Sequence, residues 1–462
     1  MPALRYWVPS LLAAVLLPHC FGAAAPTKGD EPVKTVAHFH DFAREKTASG
    51  LPAGWTTWSP RAEIAPRFSL DDAGGRTKHG ALRIEARDNF AALGAWRRRV
   101  DNITAGRTYR FVAYYRTRNV AHPGRSVFAQ LGWLDGKGER LRLPDIAADV
   151  REDSAGWTRV ECAATAPDEA RSVEIELSLA WAPGGTVWWD DISLQEGTNA
   201  SRRAVRVMTV YHRPQGTGDP ALSVAAFCRV VEGAAAQKPD IVCLPEGITV
   251  IGTGKTYADV SEPIPGPTTR TLGALAKKLH SYVVAGIIER DEATIYNTAV
   301  LVGRGGELVG KYRKTHLPQA EVEGGLTPGD AYPVFATDFG TIGLLVCWDV
   351  QFPEPARALA LAGAEMILLP IWGGSETLAR ARAIENHVFL VTSSYDMKTF
   401  IVDPTGEVRA EATRDKPVAL AELDLEKRIV QPWLGDMKAR TWKERRGDLP
   451  VEAQTPVRGT KR

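Results

Sequence analysis

The chain has 462 residues, more than a single hydrophobic core normally holds, so two or three domains are expected. Hydrophobic residues make up 44% and charged residues 24% of the sequence, which excludes a wholly disordered protein. The net charge is +2 and the sequence has no basic stripe, which argues against nucleic-acid binding. The five cysteines form no CxxC pair, which excludes a dense disulfide scaffold and the common zinc spacings.

Residues 1–25 have the pattern of an export signal. Arg5 precedes an apolar stretch at residues 7–21, and small residues follow it. The stretch is shorter than the roughly 20 residues of a membrane-spanning helix, and two prolines disfavour a buried N-terminal helix. We therefore expect a periplasmic or extracellular protein that does not span a membrane, while the cleavage site and a lipidation at Cys20 stay open.

Residues 33–197 alternate between apolar and polar side chains, as half-buried strands do. Residues 109–115 and 173–179 are two clear examples, and Gly-rich turns separate such runs. Because no convincing amphipathic helix interrupts them, the pattern predicts an all-β sandwich of jelly-roll type.

This half is rich in tryptophan, which can either stack on sugar rings or fill a sandwich core. Its layout, above all the stretch TVWWDDISL at residues 186–194, resembles the galactose-binding-like sandwiches used as carbohydrate-binding modules. The resemblance implies a polysaccharide partner, and core filling with a spacer role is the alternative. Eight of the 13 tryptophans lie here: Trp55, Trp58, Trp96, Trp133, Trp157, Trp181, Trp188 and Trp189.

A polar linker at residues 198–203 precedes a region, residues 204–430, where apolar strands alternate with helices. Strands of nearly continuous Val, Ile and Leu are typical of sheets covered on both faces, so this half is predicted to be α/β. Residues 431–462 form a C-terminal extension. The strands are predicted at residues 205–210, 241–244, 282–288, 298–302, 342–346 and 366–369, and the helices at residues 222–237, 269–280, 355–362 and 377–387.

Three predicted strands of this half are followed by a chemically reactive side chain. Glu246 and Cys347 come at the ends of buried strands, and Lys314 follows a turn after Gly310. Ligands in layered α/β folds collect at the carboxyl ends of strands, so we expect these three side chains to converge.

The same stretches resemble the nitrilase superfamily of carbon–nitrogen hydrolases. The matching strings are LPEG, YNTAVLV, KYRKTHLP, PGD, CWDVQFPEPARALALAGAEMILLP and ARAIEN, in family order between residues 244 and 386. The resemblance implies a four-layer α-β-β-α sandwich and a catalytic set of Glu246, Lys314 and Cys347. It implies that Cys347 is the nucleophile, Glu246 the general base, and Lys314 with the backbone N–H of Trp348 the oxyanion donors.

A second carboxylate often follows the lysine in this family. The loop QAEVEGGLTPGD offers Glu321 and Glu323, and we favour Glu323 because its spacing to the Pro-Gly pair fits the family loop better. Trp372 and Asn297 are expected to contribute to substrate binding. Ser393 and Ser394 depart from the family pattern, where many members have an asparagine, and this leaves the substrate open.

The sequence therefore predicts an exported thiol hydrolase that cleaves a small amide or N-carbamoyl compound through a cysteine thioester. No cofactor and no metal ion are predicted, and a homodimer stays open. The alternative is a non-catalytic glycan-binding protein in which the α/β half is only a scaffold. Loss of one of the three reactive side chains would favour that alternative, and all three are present.

Overall fold

A computed structural model of the chain describes residues 34–44, 47, 50–153, 155–197, 202–431, 434–444 and 446. The predicted export signal and Cys20 lie outside these residues, as do residues 198–201 of the predicted linker. No helix within the described ranges is long and apolar enough to cross a membrane.

The N-terminal half contains two antiparallel sheets, as the alternating pattern predicts. One sheet has the order β3-β4-β12-β6-β10-β9, with β1 paired to β12, and the other has the order β2-β5-β11-β7-β8. The only helix in its described part, besides a short 3-10 turn, is the single turn α1 (Pro123–Ser126). The strands are β1 (Lys34–Phe39), β2 (Trp55–Trp58), β3 (Arg67–Asp71), β4 (Ala81–Glu85), β5 (Leu93–Asp101), β6 (Thr108–Arg118), β7 (Val127–Leu134), β8 (Asp145–Ile146), β9 (Ala148–Glu152), β10 (Thr158–Thr165), β11 (Ser172–Ala180) and β12 (Thr186–Glu196).

Most tryptophans of this half fill space inside the fold. Trp181 is 41% exposed, and Trp58 is half-buried beneath the guanidinium of Arg97. The other six, Trp55, Trp96, Trp133, Trp157, Trp188 and Trp189, are buried. A buried ring cannot stack on a sugar, so packing explains most of the enrichment.

The C-terminal half contains two six-stranded mixed sheets, which we call sheet I (β17-β16-β15-β14-β13-β24) and sheet II (β18-β19-β20-β21-β22-β23). The predicted strands and helices are confirmed to within a few residues. The strands are β13 (Ala204–Val210), β14 (Ile241–Cys243), β15 (Tyr282–Asp291), β16 (Thr294–Val302), β17 (Leu308–Arg313), β18 (Val334–Ala336), β19 (Thr341–Leu344), β20 (Met366–Pro370), β21 (Phe389–Ser393), β22 (Thr399–Val402), β23 (Val408–Ala412) and β24 (Val418–Asp424). The helices are α2 (Pro220–Gly233), α3 (Tyr257–Val260), α4 (Pro267–Leu279), α5 (Gln319–Glu323), α6 (Pro353–Leu361) and α7 (Glu376–Asn386).

Alternate side chains of sheet I pack on opposite sides. Val205 and Val207 join a core shared with sheet II, whereas Met208 and Val210 join a core shared with α2 and α4. Strand side chains alternate between faces, so a strand covered on both sides must be apolar at every position. Helices α6 and α7 contribute to the core on the sheet II side.

The segment after β24 joins the two halves. Arg428 donates to Asp145 Oδ1 (2.9 Å) and to the backbone oxygen of Ala163 (2.9 Å) in the sandwich, and to Asp436 Oδ2 (2.7 Å). Lys443 Nζ donates to the backbone oxygen of Val127 (2.8 Å). The segment therefore contacts the sandwich through charged side chains, and it includes β25 (Val430–Gln431), β26 (Gly435–Asp436) and α8 (Met437–Glu444).

Candidate active site

The expected convergence of Glu246, Lys314 and Cys347 occurs at the strand ends of sheets I and II. Lys314 Nζ lies 3.0 Å from Glu246 Oε1, and both side chains are buried. Cys347 is 9% exposed, its Sγ lies 3.7 Å from the backbone oxygen of Gly373, and its thiol interacts with the charges of Glu246 and Lys314.

The backbone around Glu246 is held by close contact with β15. A Cβ atom on Gly286 would lie 2.6 Å from the Cα of Glu246, so only glycine permits this approach. The hydroxyl of Tyr395 donates to the backbone oxygen of Glu246 (2.8 Å), and the N–H of Trp372 donates to its Oε2 (2.8 Å). The backbone of Glu246 is therefore held by Gly286 and Tyr395, and its carboxylate by Trp372.

Cys347 begins a 3-10 helix (Cys347–Gln351) in a strained backbone conformation, with φ at +43°. Non-glycine residues rarely adopt this region, and the surroundings must compensate for its cost. The buried carboxylate of Asp349 does so, because it accepts the N–H of Val346 (3.0 Å) and the hydroxyl of Tyr312 (2.8 Å). In this turn the thiol of Cys347 is close enough to Glu246 and Lys314 to interact with their charges.

Lys314 also contacts a second carboxylate, which belongs to Glu321. Its Nζ lies 2.7 Å from Glu321 Oε1, and Glu321 is buried. Burial alone lowers the pKa of Lys314, but the negative charges of Glu246 and its other neighbours more than reverse this, so the net shift is upward. The lysine is therefore a fixed cation at neutral pH.

Burial and the nearby charge of Glu246 raise the pKa of the Cys347 thiol, and Lys314 lowers it by less. At rest the cysteine is therefore a neutral thiol. A neutral thiol is a poor nucleophile, so the site needs a base that takes its proton during the attack.

Comparison with known proteins identifies the family of the C-terminal half. The sequence profile of the carbon–nitrogen hydrolase family matches residues 208–430. The omega-amidase NIT2 of Homo sapiens is 31% identical to the chain over 263 residues, which cover 51% of this chain and 93% of the human protein. The chain belongs to the nitrilase superfamily of carbon–nitrogen hydrolases.

Two further relatives are similar to this hydrolase over the same half. The omega-amidase NIT2 of Bos taurus is 34% identical over 226 residues, covering 43% of this chain and 82% of the bovine protein. The crystal structure of Saccharomyces cerevisiae Nit3, a member of the nitrilase superfamily, is 27% identical with a TM-score of 0.44, covering 49% of this chain and 93% of Nit3. The protein is thus an amidase-type hydrolase of non-peptide carbon–nitrogen bonds, and the non-catalytic alternative is not retained.

The structure places Glu321 in the site of the hydrolase and leaves Glu323 outside, which corrects the preference for Glu323. Glu323 is exposed and accepts a hydrogen bond from Gln319 Nε2 (2.7 Å). Both glutamates lie in α5, where successive side chains are rotated by about 100° around the helix axis. Two residues therefore differ by about 200°, so only one of the two carboxylates can face Lys314.

The remaining predicted residues also lie at the site. Trp372 binds Glu246 through its backbone, and its ring packs edge-on against Tyr395 at 5.0 Å. The side chain of Trp348 is 39% exposed, and its N–H is in the first turn of the 3-10 helix, where no intrahelical acceptor exists. Asn297 is buried and donates to both carboxylates.

Sequence reasoning missed two tyrosines. Burial raises the pKa of Tyr257, and the negative charges of Glu321 and Glu246 raise it further. Tyr395 follows the two serines noted as departures from the family, and Ser394 Oγ donates to the backbone oxygen of Trp372 (3.1 Å). Neither tyrosine stands in a string with a chemical signature, so only their position in space reveals them.

Within the described ranges, no cluster of three or more His, Cys, Asp or Glu side chains has the arrangement of a metal site. The acidic and basic groups around Cys347 instead pair with one another. Their chemistry is that of proton transfer and charge stabilisation.

Proposed function

We propose that the protein is an exported thiol amidohydrolase that cleaves a small linear amide or N-carbamoyl compound and releases ammonia or an amine. One observation carries the proposal: a buried Glu246–Lys314 pair meets a cysteine held at a strained strand end. That arrangement combines a nucleophile, a base and a fixed cation in one site.

In the proposed reaction, Cys347 Sγ attacks the carbonyl carbon of the substrate while its proton passes to Glu246. The carbonyl oxygen becomes an oxyanion. An ammonium group has three N–H donors, and Lys314 uses two of them on Glu246 and Glu321, so the third can bind the oxyanion. The backbone N–H of Trp348 is the second donor, and losing one such donor typically lowers the rate by about 10²–10³-fold.

The tetrahedral intermediate collapses when its C–N bond breaks and Glu246 returns the proton to the leaving nitrogen. A thioester on Cys347 remains. Water then attacks the thioester carbon and gives a proton to Glu246, and the C–S bond breaks as the thiol takes that proton back. The acid product leaves, and the site returns to its starting protonation state.

The relatives support amides as the substrate class. The human and bovine NIT2 proteins named above are omega-amidases. An amide or carbamoyl group gives a leaving nitrogen that Glu246 can protonate. We therefore rank nitriles below amides and N-carbamoyl compounds.

Iodoacetamide labelling at neutral pH tests the nucleophile. Cys347 and Cys228 are both 9% exposed, so Cys228 is a matched control for access. Burial raises the pKa of Cys228 to about 11. We expect adducts mainly on Cys347, because Glu246 assists only this thiol, and their loss in Cys347→Ala. Faster labelling of Cys228 would contradict the assignment.

Substrate class is tested by ammonia release from a panel of amides, N-carbamoyl compounds and nitriles. We expect turnover of at least one amide or carbamoyl compound, abolished in Cys347→Ala without a large change in melting temperature. A panel in which only nitriles are turned over would contradict the proposed substrate class.

The wider organisation remains part of the proposal. We assign residues 1–25 to a signal peptide, 33–197 to a jelly-roll-like sandwich domain, 204–430 to a four-layer hydrolase domain and 431–462 to an extension. Mass spectrometry of protein recovered from the periplasm or medium tests export through the loss of the first residues. A mature chain that retains residues 1–25 would contradict it.

We also propose that the sandwich attaches to polysaccharide. Its buried tryptophans do not provide the surface, but the outer face of the first sheet carries arginines stacked on aromatic rings. The guanidinium of Arg116 lies 5.1 Å from the ring of Trp157 and 5.5 Å from that of Trp188, and Arg118 lies 5.5 Å from Trp188. Affinity electrophoresis with acidic and neutral polysaccharides tests this face, with Arg116→Ala as the variant; no retardation by any of them would leave the spacer role.

A further inference from the structure

The side-chain amide of Asn297 lies between the two carboxylates of the site. It lies in β16 and is buried, and its Nδ2 donates to Glu246 Oε1 (2.6 Å) and to Glu321 Oε1 (2.9 Å). One amide group therefore connects two carboxylates that come from separate parts of the chain.

The same two oxygen atoms accept hydrogen bonds from Lys314 Nζ, at 3.0 Å and 2.7 Å. Two carboxylate oxygens and two nitrogens thus alternate in a closed ring. The backbone also couples the two nitrogen donors, because the N–H of Lys314 donates to the backbone oxygen of Asn297 (2.8 Å). Lys314 supplies only one positive charge for two carboxylates, and the neutral amide of Asn297 supplies the second set of N–H donors.

The orientation of the Asn297 amide is fixed by its neighbours. If the amide were flipped, Oδ1 would lie within 2.9 Å of two carboxylate oxygens, which only accept hydrogen bonds. With Nδ2 facing the two carboxylates, Oδ1 has no hydrogen-bond partner among the described residues. The same is true of Glu321 Oε2. Leaving a buried acceptor without a donor is unfavourable, so the contact with both carboxylates outweighs this cost.

We propose that Asn297 is a positioning residue that keeps both carboxylates ionised. Glu246 can then act as the base for Cys347 instead of sharing a proton with Glu321. The inference rests on the function proposed above. The charged and titratable groups around this amide are Glu246, Glu321 and Lys314, with Cys347 and Tyr257 beyond them.

Two neighbouring carboxylates in a buried site tend to share one proton, because like charges disfavour double ionisation. Burial and the charge of Glu246 raise the pKa of Glu321, and Lys314 and the hydrogen bond from Asn297 lower it by less, so the net shift of this pKa is upward even with Asn297 in place. Without Asn297 the pair takes up a proton more readily. Glu246 then shares that proton with Glu321 and is a weaker acceptor for the proton of the Cys347 thiol.

The test measures the alkylation rate of Cys347 by iodoacetamide as a function of pH, which needs no substrate. In Asn297→Ala we expect the rate at neutral pH to fall by about 10²-fold, comparable to other positioning losses, and the acidic limb of the profile to move to higher pH. In Asn297→Asp we expect a loss at least as large, because the new carboxylate adds a negative charge to the pair and, even when protonated, has one donor where the amide has two.

Thr298→Val is the matched control. Thr298 is the next residue of β16, is also buried, and donates to the carboxylate of Glu289 (2.8 Å) outside the site. We expect its pH profile to equal that of the wild type. Identical profiles for Asn297→Ala and Thr298→Val would overturn the inference, whereas wild-type labelling of Cys228 in preference to Cys347 would overturn the proposed function instead.

Discussion

Glu321→Gln tests the assignment of the second carboxylate. The substitution preserves the shape of the side chain but removes its charge. Glu321 Oε1 accepts two hydrogen bonds, from Lys314 Nζ (2.7 Å) and from Asn297 Nδ2 (2.9 Å). An amide oxygen can still accept both of them, so the variant changes the strength of the contacts more than their number.

The magnitude follows from those two contacts. A hydrogen bond with an ionised group is worth about 1.5–3 kcal/mol, and a bond between neutral groups about half of that. In the variant the hydrogen bond from Lys314 still has the charge of the ammonium group, whereas the hydrogen bond from Asn297 no longer has a charged partner. We estimate that the two hydrogen bonds together become weaker by about 2–3 kcal/mol. At about 1.4 kcal/mol for each factor of ten, the rate should fall by about 10²-fold if the loss acts on the transition state.

The assay is ammonia release from the amide that the wild-type enzyme hydrolyses fastest, with Cys347 alkylation as a second measurement. Glu323→Gln is the control, because Glu323 lies two residues away in α5, is exposed, and pairs only with Gln319 among the contacts described. We expect less than about a twofold change for the control. A loss in Glu323→Gln together with normal activity in Glu321→Gln would refute the assignment.

Three further predictions concern residues that support the site and join the two halves. Tyr395→Phe removes the donor to the backbone oxygen of the base, so we expect about a tenfold loss of activity in the ammonia assay; an unchanged rate would contradict this role. Burial raises the pKa of Glu365, but Arg203 and Lys438 lower it by more, so it lies below its ordinary value of 4.5. The ionised carboxylate therefore stabilises the fold above pH 4.5, and this stabilisation is lost as the pH falls through the lowered pKa. Urea unfolding should therefore show Glu365→Gln to be less stable than wild type at pH 7 and similar to it in acid, and an equal difference at both pH values would contradict the linkage. Arg428→Ala leaves the buried carboxylate of Asp436 without its cation and that of Asp145 with Arg142 alone, so we expect a loss of about 3 kcal/mol in urea unfolding, and a loss below about 1 kcal/mol would show that water replaces the arginine.

The sequence alone determined the types and approximate positions of the elements. Alternation with a period of two predicts strands in residues 33–197, and strands interleaved with helices predict the α/β half; both patterns depend only on which side chains must be apolar. The order of Glu246, Lys314 and Cys347 after their strands also indicated where the site lies, because strand ends on one edge of a sheet converge.

Only the tertiary structure decided which polar side chains complete the site. The choice between Glu321 and Glu323 depends on where α5 begins and on which of its faces is directed inward, and a five-residue helix has too short a pattern to show this. The carboxylate bridge of Asn297 and the hydroxyl contact of Tyr395 join residues that are 51 and 149 positions apart in the chain from Glu246. Such contacts depend on packing between elements, whereas a local sequence pattern reports only the burial of each residue within its own element.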